Sequence, residues 1–109
     1  MKITIQFFEG CASWKIADAR VRNVLRDLSR PDVDVEYQLI GSPDDAERVG
    51  FHGSPTILVD GRDLFANGTE PVGFTCRVYT TDEGRQGAPA ESQLRDLLAG
   101  PSTEPRTSP

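Results

Sequence analysis

The chain opens on an alternation. Ile3, Ile5 and Phe7 fall on one side of an extended segment, and Thr4, Gln6 and Phe8 on the other, which is strand period. Phe8 interrupts the polar side, so both faces of this strand are expected to be covered, as for a central strand between helices. The period then changes. Ala17, Val21, Val24, Leu25 and Leu28 recur at helical spacing, an apolar face with Arg20, Arg22, Arg26 and Asp27 on the expected solvent side. This helix is predicted to begin at Ala12 or Ser13, just after Cys11. Pro31 stops it, because proline lacks a backbone N–H and disfavours helical geometry in the residue before it.

Alternation returns at Val33, Val35, Tyr37 and Leu39, between Asp34, Glu36 and Gln38, which predicts a strand with one wet face. Gly41 ends it. Ser42 is a candidate N-cap, with Pro43 at the first helical position and Asp45 three residues after the serine. A short helix through Ala46 and Val49 follows, and Gly50 closes it. Thr56, Ile57, Leu58 and Val59 read as a buried strand. Asp60-Gly61 is a strong hairpin signal, so residues 62–65 are expected to run back antiparallel. Residues 66–73 read as loop and residues 75–81 as β-prone. Asp82-Glu83-Gly84 turns, and residues 85–88 are loop. Pro89 opens a last helix that buries Leu94, Leu97 and Leu98 and ends at Gly100. The predicted order is β–α–β–α–β–β–α, with the first two strands parallel. Residues 1–99 form one domain. Residues 100–109 are expected to be a disordered tail, since residues 101–109 hold three prolines and no aliphatic side chain.

Composition narrows the function. The 109 residues suffice for one compact domain. With 12 Lys and Arg against 17 Asp and Glu, the net charge is −5. That charge, without a basic block, argues against nucleic acid and against anionic membrane as partners. No apolar run approaches the length of a membrane span. The first residues already read as a strand and lack the pattern of a secretion signal, so a cytoplasmic location is expected. Two cysteines do not make a disulfide scaffold. In a reducing compartment they read as buried small residues, metal ligands or reactive thiols.

Cys11 stands where a strand meets a helix. The partial positive charge and unpaired N–H groups of a helix start favour thiolate over thiol. Its pKa is therefore expected below the free value of roughly 8.5, with the thiol exposed and Lys15 adding a little. Such a thiolate can attack a disulfide or hold a soft metal. The bland alternative is a buried cysteine filling a gap.

Two stretches resemble the thioredoxin superfamily. One is Phe8-Glu9-Gly10-Cys11-Ala12-Ser13-Trp14, where that family keeps its Cys-x-x-Cys. The other is Val49-Gly50-Phe51-His52-Gly53-Ser54-Pro55-Thr56-Ile57-Leu58-Val59, similar to the stretch that carries a cis proline into the third strand. The resemblance covers residues 2–65 and, loosely, the final helix. It implies a thioredoxin-like α/β fold, a mixed sheet of four or five strands with helices on both faces. It also implies a cis Pro55 facing Cys11, shaping a substrate groove and keeping metal off the thiol. The backbone of Ser54 would pair with an extended substrate, and Trp14 and Thr56 would complete the groove. The departures are as informative. Trp14 replaces the family's second cysteine, so Cys11 cannot expel a mixed disulfide by local attack. Gly10 replaces the usual tryptophan, and the Cys-Gly-Phe-Ser pattern of monothiol glutaredoxins is absent. Trp14 itself reads as a packing residue lidding the thiol.

Cys76 is the other thiol. If residues 62–65 return along the third strand, the next loop leaves from the Cys11 end, and Cys76 can resolve Cys11 adducts. If residues 75–81 are the true returning strand, Cys76 starts about 15 Å or more away, beyond the roughly 7 Å between Cα atoms that a disulfide allows. The hairpin signal favours the first geometry. His52 reads as a solvent-facing loop residue, or else as a third ligand beside Cys11 and Cys76, a set that suits soft metals. The acidic run at Asp44, Asp45 and Glu47 reads as a helix first turn.

Three functions follow from these residues. The first is a thiol-based oxidoreductase or thiol-transfer protein acting through Cys11, resolved by Cys76 or a low-molecular-weight thiol. Its partner would be a disulfide-bearing protein or such a thiol, with no cofactor and no resident metal. The second is a soft-metal or organomercurial-binding protein using Cys11 and Cys76. The third is a non-catalytic binding module.

Overall fold

The computed structural model describes residues 1–66 and 71–103. The elements are β1 (Lys2–Phe7), α1 (Ser13–Asp27), β2 (Asp34–Leu39), α2 (Pro43–Val49), β3 (Thr56–Val59), β4 (Arg62–Asp63), β5 (Tyr79–Thr81), β6 (Gly84–Gln86) and α3 (Glu91–Thr103). Strands β2-β1-β3-β4 form one mixed sheet, and β5-β6 a separate hairpin. As expected, β1 and β2 are parallel, in register from Lys2–Asp34 to Phe7–Leu39. Strand β3 is antiparallel to both β1 and β4.

Register explains the core. Ile3 stands opposite Val59 and Ile5 opposite Ile57, so these four side chains share a face. Ala17, Val21 and Val24 from α1 and Leu94 and Leu98 from α3 pack into the same cluster. Burial of each large aliphatic contributes about 1.5–3 kcal/mol. A second cluster joins Ile40, Ala46 and Phe51, with Phe8 and Phe74 against it. Phe8 and Phe74 lie 4.5 Å apart between ring centroids. The expectation that Phe8 would be covered is met by this second cluster.

The Ser42 cap forms as expected: its hydroxyl accepts from the Asp45 N–H at 3.1 Å. Gly50 then ends α2 in the left-handed region. Several other expectations need correction. Strand β2 does not bury its apolar side, for Tyr37 is 41% and Leu39 54% exposed. It is an edge strand; Val33, just before it, is buried in the core, and Val35 packs against the core only partly buried. The returning strand β4 is two residues long instead of four. Residues 85–88 are not all loop, because Gly84–Gln86 pairs with Tyr79–Thr81. Arg20 is not simply solvent-facing: its guanidinium donates to Gln86 Oε1 at 3.1 Å and to the Pro89 carbonyl at 3.0 Å. Helix α3 passes Gly100 and reaches Thr103, since a lone glycine costs a helix only about 1 kcal/mol and does not forbid it. The rest of the expected tail, residues 104–109, lies outside the described residues.

Candidate thiol site

Cys11 lies in the joint between β1 and α1, its N–H bonded to the Phe8 carbonyl at 3.2 Å. Helix α1 starts without a side-chain cap, because Ala12 occupies the N-cap, and its first turn holds no acid. The helix start is thus left to the cysteine. The Ser13 N–H hydrogen-bonds the Cys11 sulfur, where a serine or aspartate cap would otherwise serve.

The second wall is the turn before β3. Ser54–Pro55 is cis, and Gly53 has φ +108°, a conformation that a residue with a Cβ rarely adopts. A Cβ on Gly53 would also stand 3.0 Å from the Cβ of Arg77 and 3.1 Å from the Thr75 carbonyl oxygen. Glycine is therefore what lets residues 75–77 lie against this turn. They do so as one rung of parallel pairing between Ser54 and Cys76. The Ser54 N–H donates to the Thr75 carbonyl at 2.8 Å, and the Arg77 N–H to the Ser54 carbonyl at 2.9 Å. The Ser54 backbone, which the resemblance would offer to a substrate, is taken by the chain itself.

This rung brings the thiols together. Cys11 Sγ lies 3.4 Å from the Ser54 carbonyl oxygen and within hydrogen-bonding reach of Cys76. The first of the two geometries thus holds, by a different route: Cys76 arrives beyond the short β4, on a segment anchored to Ser54. Against expectation, Cys11 is buried, at 2% exposure, and Cys76 is exposed.

The two thiols are driven apart in acidity. Burial pushes the Cys11 thiol up. Hydrogen bonds from the Cys76 side chain, the Ser13 N–H and the Ser54 and Ser13 hydroxyls outweigh it and leave Cys11 below its ordinary value. Lys15 is not among the causes. Cys76 is pushed up to about 11 by its hydrogen bond to Cys11, by burial and by the charge of the Cys11 thiolate. When the pair loses one proton, Cys11 gives it up and Cys76 keeps its own.

The segment carrying Cys76 has a buried latch. Arg77 Nη1 donates to Asp63 Oδ2 at 2.7 Å, with both side chains buried. His52 Nδ1 meets the same carboxylate at 2.9 Å. The Arg77 guanidinium lies 4.7 Å from the Tyr79 ring centroid, and the Tyr79 hydroxyl donates to the Pro55 carbonyl at 2.6 Å. Burial pushes Asp63 up, but the hydrogen bonds from Arg77 and His52 override it and hold the carboxyl below its ordinary range.

The remaining candidates divide. Pro55 and Ser54 stand at the thiols. Thr56 is buried, its hydroxyl donating to the Gly53 carbonyl at 2.6 Å, so it braces the turn and faces no groove. Trp14 packs as predicted, though on other partners: its ring stacks on Phe7 with centroids 4.1 Å apart and stands edge-on to Tyr37. His52 joins Asp63, neither facing solvent freely nor completing a ligand set. Among the described residues no cluster of three metal-ligating side chains occurs. Arg77, Asp63 and Tyr79 escaped the sequence reading. The signal was the alternation of residues 77–80 within a stretch read only as β-prone: Arg77 and Tyr79 are buried and Val78 is 53% exposed.

No family model, curated protein or solved structure matches this chain. Over the described residues the fold and site define a small α/β protein with a mixed four-stranded sheet, a separate hairpin, three helices and two adjacent thiols whose acidities are shifted in opposite directions.

Proposed function

We propose that this chain is a thioredoxin-like thiol–disulfide exchange protein in which Cys11 and Cys76 interconvert between a dithiol and an internal disulfide. One observation carries the reading. Two cysteines 65 positions apart meet at Ser54, Cys76 paired with its backbone and Cys11 Sγ 3.4 Å from its carbonyl oxygen, and at this distance one thiol is lowered and the other raised. A thiolate beside a protonated partner is the arrangement that exchange requires. Oxidation removes two electrons and two protons from the pair and passes them to a disulfide, which becomes two thiols. Reduction by a low-molecular-weight or protein thiol returns them. Cys76 supplies the second sulfur that Trp14 denies to the helix start. The cis Pro55 and the strand-to-helix placement of Cys11 support the thioredoxin-like reading, and an intracellular, reducing setting suits free thiols.

The test is turnover of a small disulfide reporter with glutathione as the reductant. The native chain is expected to turn over, and Cys11→Ser and Cys76→Ser each to lose most of that activity. Undiminished turnover in the double variant contradicts the reading. The same paired sulfurs favour a second reading as a two-coordinate soft-metal site. Mercury bound tightly by a protein that shows no exchange would select it.

A further inference from the structure

The two sulfurs of the pair do not share the same access to the outside. We infer that Cys76, not the helix-start Cys11, is the sulfur that meets the partner, and that the chain works as a disulfide donor to thiols. The inference rests on the exchange reading above and assigns the roles within it.

Cys11 is 2% exposed, whereas Cys76 is exposed. A cavity of about 600 Å³ opens beside Cys76, with Thr75, Arg77, Val78 and Arg85 in its walls; Cys11 is not part of its lining. It has room for a low-molecular-weight thiol. Attack on a disulfide requires in-line access to one sulfur and a good leaving group at the other. Access belongs to Cys76. The leaving group belongs to Cys11, whose departing charge meets the Ser13 N–H and the Ser13 and Ser54 hydroxyls already in place.

The step balances as follows. A partner thiolate attacks Cys76 of the internal disulfide. The S–S bond between Cys76 and Cys11 breaks, a new one forms between the partner and Cys76, and Cys11 leaves as thiolate. A second partner thiolate attacks the partner's sulfur in this mixed disulfide. Cys76 departs and takes a proton, and the two partner sulfurs leave as a disulfide. A low-molecular-weight disulfide restores the internal bond. In the opposite direction the chain reacts more slowly, because the exposed thiol holds its proton and the more acidic one is buried. A reduced state so stabilised makes an oxidising couple.

The experiment treats the oxidised full-length protein briefly with reduced glutathione. Free thiols are then blocked with N-ethylmaleimide, and the adduct is mapped by mass spectrometry. The expected product carries glutathione on Cys76 and the blocking group on Cys11. Glutathione on Cys11 overturns the inference. A second arm decides if the adduct is too short-lived to map: Cys11→Ala and Cys76→Ala are each exposed to oxidised glutathione at alkaline pH. Cys76 in the first is expected to be modified about tenfold or more faster than Cys11 in the second, from access alone; equal rates, or a faster Cys11, overturn it. A protein in which no internal disulfide can be formed at all refutes the exchange reading itself, an outcome distinct from a misplaced adduct.

Discussion

Cys11 and Cys76 reach one site from unlike backbones. Cys11 sits at a joint between β1 and α1, two elements that belong to the main core through Ile3, Ile5, Ala17 and Val21. Cys76 sits on a segment tied to that joint by two backbone hydrogen bonds to Ser54 and by the Arg77–Asp63 ion pair beside it. The Cys11 side supplies the Ser13 donors, and the strapped side supplies both the exposed sulfur and, in the Cys76 thiol, the strongest donor to Cys11. The difference teaches that the reactivity of this pair is set less by the helix start than by what lies across it. Cys11 is buried, yet more acidic than an ordinary thiol, because the segment paired through Ser54 brings the Cys76 thiol that donates to it.

The comparison is broken most severely at the latch. Asp63→Ala leaves the Arg77 charge buried without its partner, a loss expected to cost about 3–5 kcal/mol and read from the urea midpoint. The same variant should admit bulky alkylating reagents to Cys11. The pH dependence has a definite sign. Asp63 is held below its unfolded value of about 3.9, so its contribution is complete above that pH and disappears as pH falls through the folded value. In Asp63→Asn this part of the acid-induced loss of stability should be missing.

Titration sharpens the comparison next. In Cys11→Ser, Cys76 should fall from about 11 toward the free range near 8.5. In Cys76→Ala, Cys11 should rise, because its strongest stabilising donor is gone. Ultraviolet thiolate absorbance against pH reads both shifts, and an unchanged titration in either variant disconnects the pair. Tyr79→Phe removes the buried hydroxyl from the Pro55 carbonyl and should cost about 1–3 kcal/mol in urea unfolding. Its thiol titration should move less than in either cysteine variant. The smallest effect is expected at the helix. Trp14→Cys places a second sulfur one turn into α1 and should raise disulfide turnover about tenfold, an increase that persists in the Cys76→Ser background. If turnover in the doubly substituted chain stays at the level of Cys76→Ser alone, the helix-start geometry does not support local resolution.

The elements that place Cys11 were legible because their causes are local. Strand period ran directly into helix period around Cys11. Ser42 with Pro43 and Gly50 delimited α2, and Asp60-Gly61 marked the turn into β4. The elements that place Cys76 were not legible, because their causes lie far along the chain. No local pattern says that Arg77 will be buried: it is buried because Asp63, 14 positions away, and the Tyr79 ring receive it. Nor does anything around Cys11 show that a second thiol will donate to it, since the Cys76 segment is paired through Ser54. The β2 face failed for a related reason. Alternation at Tyr37 and Leu39 sets which residues share a side but not whether anything packs there, and at a sheet edge little does. Conversely, Phe8 broke the alternation visibly and was correctly read as a sign of cover, because an aromatic ring on a polar face needs a partner.

The most direct test of the account is equilibrium oxidation in glutathione redox buffers. The native chain, kept dilute, is equilibrated across a series of reduced-to-oxidised ratios, quenched with acid and analysed by mass. The account predicts one two-electron transition, loss of both thiols together, and a Cys11–Cys76 disulfide within a single chain that reverses on reduction. Retention of free Cys11 while Cys76 forms only stable glutathione adducts or links between chains would contradict it.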